Sequence, residues 1–184
     1  MSPEIASRAA RVKLLLMDVD GVLTDGRFYY LPGVDGLMLE TKGFDSQDGI
    51  GLQWARSMGI DTGVISGRDS PAVTTRASQC GMKYVYQGRL EKTPVYEEIL
   101  AAAGVGDQQV GYIGDDLTDA PLLARVGLSA APANAREEVK RMVHLVTSAS
   151  GGRGAVREVV EVVLRAQGRW EEILRKYGVS ARHS

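Results

Sequence analysis

Two aspartates two residues apart, Asp18 and Asp20, are the best candidates for chemistry in this 184-residue chain. They directly follow the apolar run Leu14–Met17 and precede Gly21, a pattern typical of a buried strand that opens into a turn. Ligands of open α/β sheets bind outside the carboxyl ends of the strands, so both carboxylates are predicted to face a binding site. One such carboxylate can attack phosphorus or hold a hard cation, and its neighbour can transfer the leaving group's proton. The alternative is that the pair only ends the strand and caps a turn.

A second acidic strand end lies later in the chain. The predicted strand Val110–Ile113 runs into Gly114-Asp115-Asp116, and Asp119 follows at the start of a predicted helix. Carboxylates from two strand ends, with a backbone carbonyl and water, would form an octahedral oxygen site that suits Mg²⁺. Asp115, at the strand tip, is the predicted ligand. Asp116 and Asp119 can instead be helix-start residues that the helix dipole favours.

A candidate phosphate-binding segment follows a third strand. Asp61–Ile65 ends in Ser66-Gly67-Arg68, where a small hydroxyl and a glycine N–H can hold phosphate oxygens. Lys92, directly before a predicted helix start at Thr93-Pro94, would supply a fixed positive charge. Each signal is weak alone, because Ser-Gly is a common turn and most lysines are solvated.

Short apolar runs alternate with helically spaced segments along most of the chain. This alternation predicts an α/β fold with a Rossmann-like, doubly wound parallel sheet and helices on both faces. The predicted strands are Val12–Val19, Asp61–Ile65, Tyr84–Tyr86, Val110–Ile113, Gly127–Ala130 and, more weakly, His144–Val146. The predicted helices are Asp48–Met58, Ser70–Cys80, Thr93–Ala103, Asp116–Arg125 and Asn134–Met142.

Residues 26–43 interrupt the alternation and predict a β-hairpin inserted after the first strand. Its turn, Pro32–Gly36, is rich in Gly and Asp, as hairpin turns require. Tyr and Met side chains on an exposed hairpin indicate that a ligand or another subunit covers it. The whole chain, residues 1–184, is expected to form one domain.

The composition argues against several classes of function. A formal net charge of -1 with scattered Lys and Arg gives no electrostatic footprint for nucleic acid. No apolar run approaches membrane-spanning length, and no signal-peptide core is expected at the N-terminus. The lone Cys80 excludes an internal disulfide and fits a reducing, cytoplasmic location. With two His and one Cys, any metal is expected to have oxygen ligands.

These motifs resemble, in order, the four motifs of the haloacid dehalogenase superfamily of phosphatases. They are Asp18-Val19-Asp20-Gly21-Val22-Leu23-Thr24-Asp25-Gly26, Ser66-Gly67-Arg68, Lys92 and Gly114-Asp115-Asp116. Within that superfamily, the short hairpin without a cap domain and four further segments are similar to the 3-deoxy-D-manno-octulosonate 8-phosphate phosphatase family of lipopolysaccharide biosynthesis. The four segments are Phe44–Gly49, Tyr86–Gly88, Val126–Ser129 and Gly151–Glu158.

The resemblance implies roles for individual residues. Asp18 would be the nucleophile that forms an aspartyl-phosphate, and Asp20 the general acid and then the base that activates water. Mg²⁺ would be held by Asp18, the backbone carbonyl of Asp20, and Asp115. Ser66, Gly67 and Lys92 would bind the phosphoryl group. The same resemblance implies a homotetramer built from the 26–43 hairpins, with a C-terminal helix and tail, about 168–184, that reaches a neighbouring active site.

Substrate contacts are the least determined part of the site. Gln47, Arg68 and Arg153 are candidates, and Arg suits a substrate carboxylate by its geometry. Many members of the family carry Arg where this chain has Gln47, which leaves a nine-carbon sugar acid 9-phosphate open as the substrate. A non-catalytic tetramerisation module is a further alternative, although the candidate catalytic residues are all present. A mutase is disfavoured because no cap would exclude water.

Overall fold

The apolar run before Asp18 forms the central strand of the sheet in the computed structural model, which describes residues 1–179. All four residues of that strand are buried, as expected for a strand covered on both faces. The strands are β1 (Leu14–Met17), β2 (Tyr29–Pro32), β3 (Met38–Thr41), β4 (Asp61–Ile65), β5 (Tyr84–Tyr86), β6 (Val110–Ile113), β7 (Leu128–Ala131) and β8 (Leu145–Val146). The helices are α1 (Pro3–Ala9), α2 (Ser46–Ser57), α3 (Pro71–Cys80), α4 (Lys92–Ala103), α5 (Ala120–Leu123), α6 (Glu137–Lys140), α7 (Ala155–Ala166) and α8 (Trp170–Lys176).

Within residues 1–179 six strands pair in parallel in the order β5-β4-β1-β6-β7-β8 and no cap domain is present, which confirms the predicted doubly wound α/β fold. Successive residues of β1 point to opposite faces, so Leu15 and Met17 join one core cluster while Leu14 and Leu16 join the other. The first cluster includes residues of α1, α2, α3, α7 and α8, and the second includes residues of α4, α5 and α6. The carboxyl ends of β1, β4 and β6 therefore meet at one edge. The assignment of residues 1–184 to one domain stays a prediction.

The inserted hairpin is present as β2 and β3, which pair antiparallel in a separate two-stranded sheet. Gly36 has a φ of +77°, which a residue with a Cβ rarely adopts, and Asp35 accepts a hydrogen bond from the Leu37 N–H. The exposed apolar side chains of the hairpin are Tyr29, Tyr30, Leu31, Val34, Leu37, Met38 and Leu39. The hairpin thus leaves these apolar side chains exposed in the single chain.

Two predicted helices were too long. The segment Asp116–Arg125 forms a 3₁₀ turn and then the four-residue α5, because Asp119 turns inward and binds buried groups. The segment Asn134–Met142 contains only the four-residue α6, because the Asn134 side chain bridges two loops instead. Strand β1 is shorter than the predicted Val12–Val19, since Asp18 and Asp20 belong to the loop that follows it.

Helices α1 and α7 are not among the predicted elements. Helix α7 buries Val156, Val159, Val160, Val163 and Leu164, a spacing that indicates a helix although the run is rich in β-branched residues. No helix among residues 1–179 is long and apolar enough to cross a membrane.

The C-terminal helix α8 packs on its own chain. Trp170 and Ile173 are buried in the first core cluster. Trp54 of α2 donates a hydrogen bond from Nε1 to the Tyr177 hydroxyl, at 3.1 Å. The predicted tail, about 168–184, includes residues 180–184, which lie outside the described residues, and its reach into a neighbouring site stays a prediction.

Candidate active site

Asp18 and Lys92 form an ion pair at the carboxyl edge of the sheet. The loop after β1 begins with Asp18, whose backbone N–H donates to the Ile113 carbonyl and so fixes the residue against β6. Lys92 is the first residue of α4, and its Nζ lies 3.0 Å from Asp18 Oδ1. The Lys92 residue is only 4% exposed, so its ammonium group needs carboxylate partners rather than water.

Asp119 is a buried acceptor that organises its neighbours. Its Oδ1 lies 2.6 Å from Lys92 Nζ and accepts from the Tyr112 hydroxyl at 2.7 Å. Its Oδ2 accepts from the backbone N–H groups of Asp115 and Asp116, at 3.0 and 3.3 Å. Both oxygens are therefore occupied, and Asp119 is more than the helix-start residue considered as one alternative.

Asp115 faces Asp18 across the mouth of the site. One oxygen each of Asp18, Asp115 and Asp119 lie within 4.8 Å of one another. Asp115 Oδ1 is buried without a hydrogen-bond partner among the described residues. A Cβ on Gly21, which has a φ of +91°, would lie 2.1 Å from Asp115 Oδ2. Glycine at this position lets the backbone after Asp20 approach the carboxylate directly.

The electrostatics of this cluster favour an additional cation. Burial raises the pKa of Asp18 to about 6, against the opposing effect of Lys92. Burial, with the negative charges of Asp18 and Asp119, raises the pKa of Asp115 to about 7. Burial alone would lower the pKa of Lys92, but the Asp18 and Asp119 carboxylates outweigh it and the net pKa is raised. The Lys92 ammonium is thus the only counter-charge among the described residues for the carboxylates of Asp18, Asp115 and Asp119, so net negative charge remains in the cluster.

Asp20 lies on the hairpin side of the site. Lys42 Nζ donates to Asp20 Oδ1 at 2.5 Å, and Arg68 Nε lies 3.9 Å from Oδ2. The Asp20 side chain remains 20% exposed, so it is accessible from the mouth of the site.

Ser66 and Gly67 follow β4, next to the end of β1. Ser66 is buried, and its Oγ accepts from the Arg68 backbone N–H at 3.2 Å, which leaves its O–H free to donate. A Cβ on Gly67 would lie 3.3 Å from the Leu90 side chain, so glycine keeps this wall open. The segment thus presents small donors to the same edge as Asp18.

A cavity of about 390 Å³ joins these residues. Its lining consists of Asp18, Asp20, Ser66, Gly67, Arg68, Leu90, Lys92, Asp115, Asp116 and Thr118. A larger cavity of about 610 Å³ has Lys13, Gly59 and Gln109 in its lining, at the amino ends of β1, β4 and β6. Because ligands of parallel sheets bind at the carboxyl ends, the smaller cavity is the candidate active site.

Two of the three predicted substrate contacts lie elsewhere. Arg68 lines the cavity, whereas Gln47 and Arg153 are exposed residues outside its lining. Gln47 lies in the first turn of α2, and Arg153 lies in the loop before α7. Their roles in substrate binding stay predictions.

Several supporting residues were not found from the sequence. Asn134 donates to the Gly21 carbonyl at 3.0 Å and accepts from the Gly151 N–H at 2.6 Å, which ties the loop after Asp20 to the loop before α7. Asp48 is 1% exposed and accepts from the Gly154 and Arg157 N–H groups at the start of α7. Asn134 and Gly21 are more than 100 positions apart in the sequence, and so are Asp48 and Arg157. No local spacing predicts contacts between such distant residues.

We expect Asp48 to make the stability of the protein depend on pH. Burial raises the pKa of Asp48 from 3.8 to about 6, so the folded state binds a proton more tightly than the unfolded state between these values. The free energy of unfolding relative to Asp48→Asn should therefore fall by roughly 3 kcal/mol as the pH rises through this window. Urea denaturation of both proteins between about pH 4 and 7 measures the difference. The exposed-site variant Asp61→Asn is the control, and a difference that grows with pH would refute the prediction.

The fold and the site together define a phosphatase of the haloacid dehalogenase type. Residues 55–159 match the haloacid dehalogenase-like hydrolase family. The 3-deoxy-D-manno-octulosonate 8-phosphate phosphatase of Yersinia pestis is 42% identical over 171 residues, covering 93% of this chain and 89% of that protein. The chain therefore belongs to the 3-deoxy-D-manno-octulosonate 8-phosphate phosphatase family, and it is a phosphoric monoester hydrolase.

Solved structures show the same architecture. The crystal structure of the Yersinia pestis enzyme superposes with a TM-score of 0.88, covering 93% of this chain and 90% of the other. The enzyme from Moraxella catarrhalis, solved with magnesium, phosphate and a KDO molecule, is 35% identical with a TM-score of 0.90 over 96% of this chain and 99% of the other. The cobalt-bound enzyme from Haemophilus influenzae is 40% identical with a TM-score of 0.81 over 88% and 92%.

Proposed function

We propose that this protein hydrolyses 3-deoxy-D-manno-octulosonate 8-phosphate to the free sugar acid and phosphate. The observation that carries the proposal is the pairing of Asp18 with Lys92 at 3.0 Å in a cavity that Asp20 also lines. A nucleophile, a fixed cation and a proton donor thus face one space, which is what phosphoryl transfer requires. The substrate assignment rests on the named activity of the relatives.

Asp18 is the nucleophile in this proposal. An Asp18 carboxylate oxygen forms a bond to phosphorus, the bond from phosphorus to the sugar oxygen breaks, and its electron pair stays on that oxygen. The sugar oxygen takes the proton of Asp20, since a sugar alkoxide is a poor leaving group. Asp20, now ionised, accepts a proton from the water that attacks the aspartyl-phosphate and releases phosphate.

Lys92, Ser66 and Gly67 bind the transferring group. The Lys92 ammonium stabilises negative charge on the phosphoryl oxygens, and Asp119 fixes its position through the 2.6 Å contact. The Ser66 hydroxyl and the Gly67 N–H can donate to the same oxygens from the other wall of the cavity. Arg68 lies at the mouth, where its guanidinium can meet the carboxylate of a sugar acid.

The donor set fits Mg²⁺. Asp115 Oδ1 has no hydrogen-bond partner in the described part of the chain, and it clusters with Asp18 in a hard, negatively charged site of oxygen ligands. Asp18 and Asp115 would hold the ion with the backbone carbonyl of Asp20, while Asp119 is already saturated. When bound, Mg²⁺ neutralises the repulsion between an anionic nucleophile and an anionic phosphate.

The exposed hairpin supports a homotetramer. Tyr29, Tyr30, Leu31, Met38 and Leu39 are each about half exposed or more in the single chain. The strand register places Tyr29, Leu31 and Leu39 on one face of the hairpin and Tyr30 and Met38 on the other, so both faces offer apolar side chains for contact. A closed assembly of four hairpins would bury these side chains together. Light scattering should give four chains for the wild type and fewer when Tyr30 and Leu39 are both replaced by Ser. A wild-type monomer would refute this assembly.

The cytoplasmic location stays a prediction from the sequence.

Phosphate release from defined substrates tests the proposed function. We expect rapid release from 3-deoxy-D-manno-octulosonate 8-phosphate with Mg²⁺, and loss of that activity with EDTA that returns when Mg²⁺ is restored. Nine-carbon sugar acid 9-phosphates serve as the comparison substrates, because a few polar contacts decide between such acids. Faster release from a nine-carbon substrate would contradict the substrate assignment. No release from any of them by the folded protein would contradict the enzymatic function.

A further inference from the structure

Lys42 is a buried cation beside Asp20, at the edge of the candidate active site. It lies directly after β3, and its side chain is fully buried. Its Nζ lies 2.5 Å from Asp20 Oδ1 and 3.6 Å from Glu40 Oε1, with the Phe28 ring centroid at 4.9 Å. A buried ammonium needs a neutralising carboxylate, which Asp20 supplies when ionised and Glu40 supplies when Asp20 carries its proton.

The contact makes the two oxygens of Asp20 unequal. An ammonium group donates three hydrogen bonds and accepts none, so the oxygen bound to Lys42 cannot pass a proton along that bond. The proton that a general acid needs must then reside on Oδ2. That oxygen lies on the side of Arg68, at 3.9 Å from Nε, and Arg68 lines the cavity. The bond to Lys42 therefore turns the proton-bearing oxygen toward the substrate space.

We infer that Lys42 is a positioning residue, which holds Asp20 so that Oδ2 can protonate the leaving group and later accept the proton of water. The inference rests on the proposed function, since it assigns a support to the general acid of that mechanism. It also ties the hairpin to the chemistry, because Lys42 follows the last residue of β3.

The leaving group offers a readout that a general loss of structure would not reproduce. A sugar alkoxide must be protonated as its bond to phosphorus breaks, whereas p-nitrophenolate leaves readily without a proton. Misplacing Asp20 should therefore slow enzyme phosphorylation by an alkyl phosphate and spare phosphorylation by p-nitrophenyl phosphate. Attack of water on the aspartyl-phosphate needs Asp20 whichever substrate formed it. Only the first step therefore distinguishes the sugar acid phosphate from p-nitrophenyl phosphate.

The experiment measures the first step in rapid-mixing kinetics with Mg²⁺ present. For Lys42→Met, release of the sugar acid from 3-deoxy-D-manno-octulosonate 8-phosphate should slow by about 10- to 100-fold, while the p-nitrophenolate burst should stay within about threefold of wild type. The slower second step should lower steady-state turnover with both substrates. Lys42→Gln is uncharged and its side chain is one atom shorter, so its amide does not reach Asp20 as the ammonium does. It carries the same test if Lys42→Met does not fold.

Lys83→Met is the matched control, since it removes an exposed lysine paired with Asp61 at the amino ends of β4 and β5, whereas the cavity lies at the carboxyl ends. It should leave both first-step rates unchanged. Equal slowing of the two substrates by the Lys42 variants, or no slowing of either, would overturn the role of Lys42. Failure of the proposed function is distinguishable, because it would appear in the wild type as an absence of release from the sugar acid phosphate. The comparison would then use the nine-carbon acid phosphate that the wild type cleaves.

Discussion

Asp18→Asn should abolish turnover while the protein stays folded. Asn keeps the size and shape of Asp but supplies no anionic oxygen to attack phosphorus, so no aspartyl-phosphate can form. We expect kcat to fall by at least about 10⁴-fold, as for other enzymes that lose their nucleophile. Lys92 would keep its contact with Asp119, so the cluster retains an ion pair.

Stability and activity should separate in this variant. Burial raises the pKa of Asp18, which means that its charged form is disfavoured in the folded state. A neutral Asn therefore should not lower the thermal midpoint by more than a few degrees. Asp61→Asn removes an exposed carboxylate far from the cavity and should behave as wild type in both measurements. Substantial turnover by pure, folded Asp18→Asn protein would refute Asp18 as nucleophile.

Lys92→Met should damage both activity and stability. Removal of the Lys92 ammonium leaves Asp18 and the fully buried Asp119 without their shared cation. Breaking a buried ion pair typically lowers the free energy of unfolding by about 3–5 kcal/mol. The phosphoryl group also loses its fixed positive charge, so kcat/KM should fall by roughly 10²–10⁴-fold. Urea denaturation and initial-rate kinetics measure the two effects.

The pH dependence of that destabilisation has a definite sign. Without Lys92 the folded-state pKa of Asp18, which burial already raises, rises further, so the folded variant takes up a proton that the unfolded chain does not bind. The variant should therefore lose less stability at about pH 5 than at pH 7. The double variant Lys92→Met with Asp119→Asn should recover part of the stability and none of the activity. A stability loss that is larger at low pH, or activity restored by the double variant, would contradict this assignment of Lys92.

The strand ends could be predicted from the sequence because their signals are local. Asp18 and Asp115 each follow a buried apolar strand, and parallel topology alone brings the carboxyl ends of β1 and β6 together. Ser66 and Lys92 were predicted only through their order between these two strand ends. The structure places all four around one cavity.

The supporting contacts could not be predicted because they join distant segments. Lys42 meets Asp20 across a loop and a hairpin, and Asn134 meets Gly21 across most of the chain. Asp119 had a local explanation as a helix-start residue, and only the fold shows that it holds Lys92 and Tyr112. Helix α7 is different, since its buried positions have helical spacing that the sequence already contains.

Identification of the phosphorylated residue tests the mechanism most directly. Asp20→Asn protein mixed with p-nitrophenyl phosphate and Mg²⁺ should accumulate the aspartyl-phosphate, because this leaving group needs no acid and the second step lacks its base. Acid quenching, borohydride reduction and peptide mass spectrometry then locate the acyl phosphate as a homoserine. The mechanism predicts that homoserine replaces Asp18. A burst of p-nitrophenolate with Asp18 unmodified, or with another residue modified, would contradict it.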